Sequence, residues 1–85
     1  MEVRWTEVAF EQMSQIVQLN PARKDELAEA LKELTAHLRA HGTTAGESRG
    51  ENSRVFFAGP LTAYFVIDEG TNTAEVIRVR ARFRA

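Results

Sequence analysis

The sequence predicts an α+β fold in which two N-terminal helices form a hairpin packed on a small antiparallel sheet, in the order β-α-α-β-β-β. Between residues 6 and 41, apolar residues recur every three to four positions, which is the period of an amphipathic helix. From residue 54 onward, apolar and polar residues alternate, as in a strand with one buried face. Because the chain has 85 residues and no cysteine, we expect a single domain, residues 1–85, stabilised by packing without disulfides.

The N-terminal region should form a short strand and then the first helix. Alternation of Val3 and Trp5 with charged residues indicates the strand. Thr6 is a favourable N-cap for a helix that ends near Leu19. We expect Trp5 and Phe10 to lie in the core. The apolar stripe of this helix contains Ala9, Phe10, Met13, Ile16 and Val17.

The second helix has the clearest pattern of any element. Asn20 precedes Pro21, an arrangement typical of a helix start, and Gly42 is a favourable stop. The polar stretch that follows, GTTAGESRGENS, should be an exposed loop. The apolar stripe of the helix consists of Leu27, Ala30, Leu31, Leu34 and Leu38.

Three strands in a meander are expected to complete the sheet. They correspond to RVFFA, LTAYFVID and TAEVIRVRARF, separated by turns at Gly59-Pro60 and at EGTN. On the middle strand, the face toward the helices should carry Leu61, Ala63, Phe65 and Ile67. On the last strand that face should carry Ile77, Val79, Ala81 and Phe83, and the opposite face should carry Val76, Arg78, Arg80 and Arg82.

The arginines of the last strand are the strongest functional indication in the sequence. Residues 49–85 hold six basic side chains, all arginines and Arg84 among them, against four acidic ones, although the whole chain has a formal charge of −1. Such a row could bind phosphate or RNA, pair with an acidic partner segment, or simply solvate the open face of a sheet. The net negative charge argues against tight nonspecific binding of nucleic acid.

Other kinds of site are not indicated. His37 and His41 have the i, i+4 spacing of a zinc-binding pair, but they lack a third ligand nearby, so we expect surface helix residues and no metal or cofactor. The sequence contains no recognisable catalytic triad, glycine-rich phosphate loop or paired-carboxylate site. Because it also lacks a long apolar run, we expect neither a signal peptide nor a membrane span, and a cytoplasmic protein.

Several segments stand out beside the order of elements: VRWTEVA at the start, the long second helix, Arg49-Gly50 before the second strand of the sheet, YFVID and VIRVR. Together they resemble the RelE/ParE family of bacterial toxins. The resemblance implies a toxin of a type II toxin–antitoxin system, of the kind also known as plasmid stabilisation proteins. One branch of that family cleaves messenger RNA in the ribosomal A site, another inhibits DNA gyrase, and a cognate antitoxin holds each toxin inactive.

Carried over residue by residue, the resemblance provides only part of a nuclease site. Arg54 and Arg82 match two cationic positions and are the candidate catalytic residues. Phe56 and Thr62 stand where further cations are expected, and the C-terminal tyrosine or histidine of the nucleases has no counterpart in these 85 residues. Together with Tyr64, the arginines form the candidate surface for phosphate, RNA or a protein partner: Arg49, Arg54, Arg78, Arg80 and Arg82.

Two functions therefore stay open. RNA cleavage needs a base and an acid as well as cations, and arginine supplies only the cation. Candidate proton carriers are His37, His41, Glu47, Glu51 and Tyr64, although Tyr64 is more simply explained as a half-buried packing residue. The alternative to an mRNA endoribonuclease is a binding protein, either a gyrase inhibitor or an inactive toxin homologue that only binds its antitoxin. The alanine-rich edges of the helical hairpin are a candidate surface for a homodimer.

Overall fold

The computed structural model describes residues 1–41, 44–50 and 53–83. Within these ranges the predicted α+β class and order of elements are confirmed, with one short strand and one 3₁₀ turn added. Three residues named in the predictions lie outside the described residues: Gly42, the expected stop of the second helix, Glu51, a candidate proton carrier, and Arg84, one of the C-terminal arginines. The elements are β1 (Glu2–Trp5), α1 (Glu7–Leu19), a 3₁₀ turn (Pro21–Arg23), α2 (Lys24–His41), β2 (Glu47–Ser48), β3 (Ser53–Ala58), β4 (Leu61–Asp68) and β5 (Thr73–Ala81).

The junction between the helices differs in detail from the prediction. Thr6 caps α1 as expected, because its Oγ1 accepts a hydrogen bond from the Ala9 N–H at 3.1 Å. Asn20 does not cap the next helix; its Nδ2 donates instead to the Ile16 carbonyl at 2.8 Å. The side chain of Asn20 therefore closes α1, and Pro21 opens a 3₁₀ turn before α2 begins at Lys24.

The described residues form a five-stranded sheet in the order β1-β5-β4-β3-β2. Neighbouring strands are antiparallel from β2 through β5, as the meander predicts, while β1 pairs with the first half of β5 in parallel. A parallel pair needs a long connection. Here that connection consists of the helical hairpin together with strands β2, β3 and β4.

Both helices lie on one face of the sheet, which we call the inner face. The predicted inner residues of β4, namely Leu61, Ala63, Phe65 and Ile67, are buried there, together with Leu27, Ala30, Leu34 and Leu38 of α2. Phe65 has no exposed surface and is the largest fully buried side chain. The opposite, outer face of the sheet carries the alternate residues of each strand and is not covered by either helix.

Two expectations about burial outside β5 were wrong. Phe10 was expected in the core, yet 65% of its surface is exposed, because α1 carries more apolar positions than its one inward stripe can bury. The stretch after α2 was expected to be an exposed loop, yet it contributes Ala45 to the core with no exposed surface and contains β2. Pairing of Glu47 with Val55 and of Ser48 with Arg54 holds β2 on the edge of β3.

Candidate functional site

The outer face of β4 and β5 brings an aromatic ring next to cationic side chains. The antiparallel register pairs Thr62 with Arg80 and Tyr64 with Arg78, so these four side chains share one face. The guanidinium carbon of Arg78 lies 5.4 Å from the centroid of the Tyr64 ring, within the range of a cation–π contact. This contact orients Arg78 along the surface of the sheet.

Arg82 joins this group from just beyond the end of β5. Its backbone N–H donates to the carbonyl of Pro60 at 2.8 Å, which fixes the chain against the β3–β4 turn. A shallow depression results between the strands. It is lined by Phe57, Thr62, Tyr64, Arg80, Ala81 and Arg82. We call these residues, together with Arg78, the arginine face.

The arginine face has the properties of an anion-binding surface. Arg78, Arg80 and Arg82 are exposed, and none of the ion pairs among the described residues involves them. Guanidinium groups bind phosphate and carboxylate through paired hydrogen bonds, and the exposed ring of Phe57 offers a surface on which a planar group can stack. The arrangement can therefore hold an anion beside an aromatic ring.

A β-bulge on β5 changes which residues face outward. Phe65 pairs with Val76 and Tyr64 pairs with Arg78, so Ile77 is an extra residue with no partner of its own. Val76 was predicted on the same face as the arginines, but it is fully buried on the inner face. Ile77, predicted to face the helices, is only partly buried. The bulge therefore shortens the predicted row to Arg78, Arg80 and Arg82.

Two other predicted site residues lie apart from the arginine face. Arg54 pairs with the buried Phe65 across the β3–β4 ladder, so it belongs to the inner face, and its Nε donates to the carbonyl of Ala45. Arg49 follows β2 and forms an ion pair with Glu47 at 3.0 Å. The structure thus brings together Tyr64, Arg78, Arg80 and Arg82, but neither Arg49 nor Arg54 joins them.

The candidate proton carriers are also distributed unevenly. His37 and His41 belong to α2, on the helix-covered side of the sheet, and the ring of His37 stacks on Phe56 with the centroids 3.9 Å apart. Glu47 is held by Arg49. Among the described candidates, Tyr64 alone lines the depression that contains Arg82. The arginine face therefore combines cations with one phenol.

The pKa of His37 is lowered from that of an ordinary histidine. Burial lowers the pKa of His37 below its ordinary value of about 6.5, the neighbouring His41 lowers this pKa further, and Glu33 opposes both effects. The centroids of the His37 and His41 rings are 4.4 Å apart.

No group of three or more metal-ligating side chains occurs in the part of the chain that the structure describes.

A second surface, on the helix side, was missed by the sequence reasoning. It is an apolar groove between α1 and α2, which we call the helical groove. It accounts for one of the exposed apolar residues of α1, Phe10, which is 65% exposed, whereas Val8 and Leu19, also exposed, lie outside it. The surplus of apolar residues on α1 was the signal in the sequence. The groove is lined by Trp5, Phe10, Met13, Ser14, Val17, Gln18, Leu31 and Thr35.

Comparison with solved structures supports the fold. A chain of the structure described as "Chromosomal ParDE TA system from P. aeruginosa" superimposes with a TM-score of 0.77, covering 98% of this chain and 97% of that chain at 15% sequence identity. No family model and no curated protein matches the sequence. The likeness confirms the predicted fold, two N-terminal helices packed on a sheet, which this chain shares with that chain. In the described ranges no helix is both long enough and apolar enough to cross a membrane.

Proposed function

We propose that the protein is the toxin-like component of a bacterial type II toxin–antitoxin pair. The observation that carries the proposal is the combination of a RelE/ParE-like fold with the exposed helical groove. Exposed apolar patches of this kind mark interaction sites on small proteins. The groove runs along Phe10, Met13 and Val17, which follow one another at helical spacing, and such a groove fits the apolar face of a partner helix.

The cognate antitoxin is the proposed occupant of the helical groove. Charge complementarity supports an acidic partner, because the arginine face on the other side of the sheet carries three exposed cations without carboxylate partners among the described residues. An antitoxin with an amphipathic helix followed by an acidic segment would satisfy both surfaces. Occupation of the arginine face by that segment would also exclude an anionic target.

Co-expression with the product of the adjacent gene tests this proposal. Phe10→Asp places a carboxylate in the helical groove, whereas Val8→Asp changes an equally exposed residue of α1 outside the groove lining and serves as the matched control. We expect Phe10→Asp to weaken the complex by about 30-fold in Kd, the effect of losing an anchor worth about 2 kcal/mol. Calorimetric titration gives the values. Equal binding by both variants would contradict the proposed groove.

Two molecular activities are candidates for this toxin-like protein. It is either an mRNA endoribonuclease or a non-enzymatic binding protein. The distribution of proton carriers supports the second, because Tyr64 is the one described candidate in the depression beside Arg80 and Arg82. Cations alone stabilise a phosphorane but do not move protons. In a binding protein, the arginine face would hold an anionic segment of its target, as a gyrase inhibitor or as an antitoxin-binding homologue without toxicity.

Expression without the antitoxin separates these activities. An endoribonuclease halts translation and cuts messenger RNA, a gyrase inhibitor leaves RNA intact and reduces supercoiling, and an inactive homologue affects neither. Arg82→Ala should relieve any arrest of growth. Arg4→Ala is the matched control, because Arg4 lies on the same outer face at its other end, beside Glu2. Growth arrest that persists in Arg82→Ala would show that the arginine face is not needed for toxicity.

The remaining expectations follow the same proposal. A toxin directed at ribosomes or gyrase acts in the cytoplasm, where its target is found. The helical hairpin is the proposed surface for a homodimer, and competition between a second copy and the antitoxin for that surface would make the free toxin dimeric and the complex heteromeric. Light scattering of the free protein measures its mass directly.

A further inference from the structure

A hydrogen bond from the backbone to a histidine ring connects α2 to the segment that follows it. The Nε2 atom of His37 accepts from the N–H of Gly46 at 2.9 Å. The same ring stacks on Phe56 of β3, with an angle of 10° between the planes. His37 therefore holds two elements at once: it packs on β3 and binds the backbone of residues 44–48, which we call the β2 segment.

The β2 segment has few other attachments. Ala45 is fully buried, and its carbonyl accepts from Arg54 Nε. Thr44 Oγ1 donates to the His41 carbonyl at 2.7 Å, an exposed contact. Beyond Gly46 the segment pairs with β3 through the two-residue ladder of β2, and the next residue, Arg49, donates its N–H to the carbonyl of Ser53 at 2.7 Å. Since a short edge strand is weak by itself, the bond to His37 adds to what keeps the β2 segment in place.

That bond requires a neutral imidazole. A neutral ring has one nitrogen that accepts, and here Nε2 accepts from Gly46, so the proton sits on Nδ1. A protonated ring carries N–H groups on both nitrogens. Its Nε2–H would then face the N–H of Gly46, two donors without an acceptor between them.

We propose that His37 and the β2 segment form a pH-sensitive latch, closed when the imidazole is neutral and released when it is protonated. Release frees Arg54 from the carbonyl of Ala45 and exposes the edge of β3, whose backbone groups can then pair with another extended chain. The latch does not depend on the proposed toxin function, since it can be measured on the free protein.

The ionisable groups around the His37 ring determine the pH range in which the latch opens. In the described ranges the neighbouring ionisable groups are His41 and Glu33 on α2, and Arg54 reaches the carbonyl of Ala45 from β3. Burial first, and then His41, lower the pKa of His37, with Glu33 opposing them. A lowered pKa in the closed state means that the open state binds the proton more tightly. The closed latch is therefore fully stable above about pH 6.5 and weakens as the pH falls from there toward the pKa of the closed state.

Hydrogen exchange of the Gly46 amide, followed by NMR between pH 7.5 and 5, tests the latch. We expect the protection factor of Gly46 to fall by roughly tenfold per pH unit between the two pKa values. The amide of Phe65 in the core provides the internal reference, because global unfolding would lower its protection as well. Loss of protection at Gly46 with protection kept at Phe65 identifies local release.

Three variants complete the experiment. His37→Gln keeps an acceptor that does not titrate, so protection of Gly46 should no longer depend on pH. His37→Phe keeps an aromatic ring for Phe56 but removes the acceptor, so protection should be low at every pH. His41→Gln is the matched control, which keeps His37 and should retain the transition at slightly higher pH. A transition that persists in His37→Gln, or constant protection in the wild type down to pH 5, would overturn the latch.

Discussion

The two faces of β4 show how one strand serves two purposes. Leu61, Ala63, Phe65 and Ile67 are buried under the helices, while Thr62, Tyr64 and Val66 between them are only partly buried and Asp68 is exposed. Neighbouring residues in the sequence thus experience different environments because alternate side chains of a strand point to opposite faces. The inner face determines stability, and the outer face is free to carry the arginine face.

The largest expected difference between the two faces is in stability. Phe65→Ala removes a fully buried ring and should lower the free energy of unfolding by about 3–5 kcal/mol. Tyr64→Ala, one residue away on the outer face, should cost about 1 kcal/mol because its ring is only partly buried. Urea denaturation of both variants measures the difference. A similar loss of unfolding free energy in both variants would mean that Tyr64 on the outer face stabilises the fold as much as the buried Phe65 does.

A smaller effect is expected where the β2 segment meets the sheet. Gly46 has a φ of +63°, and a Cβ there would lie against the carbonyl oxygen of Val55 and 3.0 Å from the Phe65 ring. Gly46→Ala should therefore cost about 2 kcal/mol, from backbone strain and crowding together. In Gly70→Ala the new Cβ approaches only the Asp68 side chain, and unfolding should change by less than about 0.5 kcal/mol. Thermal unfolding distinguishes the two alanines.

The smallest effect on stability is expected on the arginine face. Because Arg80 and Arg82 are exposed and lack ion-pair partners among the described residues, the double variant Arg80→Ala/Arg82→Ala should unfold within about 0.5 kcal/mol of the wild type. Removing mutual repulsion of the cations should make any change slightly stabilising. A loss well above that limit, seen in urea, would show that these arginines support the fold.

The parts of the fold that follow from a regular period were predicted correctly. The helix-facing residues of β4 and three of the four stripe leucines of α2, Leu27, Leu34 and Leu38, are buried as the alternation and the helical spacing indicate. Thr6 caps α1 as expected. In each case the residues lie in an element without interruption, so a local pattern in the sequence is sufficient to identify the buried face.

The remaining features depend on contacts that no local pattern records. The bulge at Ile77 reverses the faces of β5 partway along the strand, and it is defined by pairing with β4. β2 has a polar sequence, so only the neighbouring strand identifies it as a strand. Arg54 was grouped with the other arginines by composition, yet its register against Phe65 directs it toward the inner face. The structure therefore places the arginines at the end of β5 together on the outer face and Arg54 of β3 apart from them, while their role as a site stays a prediction.

The parallel pairing of β1 with β5 bears on how the protein is made. Glu2 pairs with Thr73 and Trp5 with Val76, and the sheet neighbour of β1 is β5. β1 is synthesised before β5, so it can join the sheet only after β5 has been made. The hairpin of α1 and α2 depends on contacts closer along the chain, which form sooner. A nascent chain can therefore form its helices well before its sheet is complete.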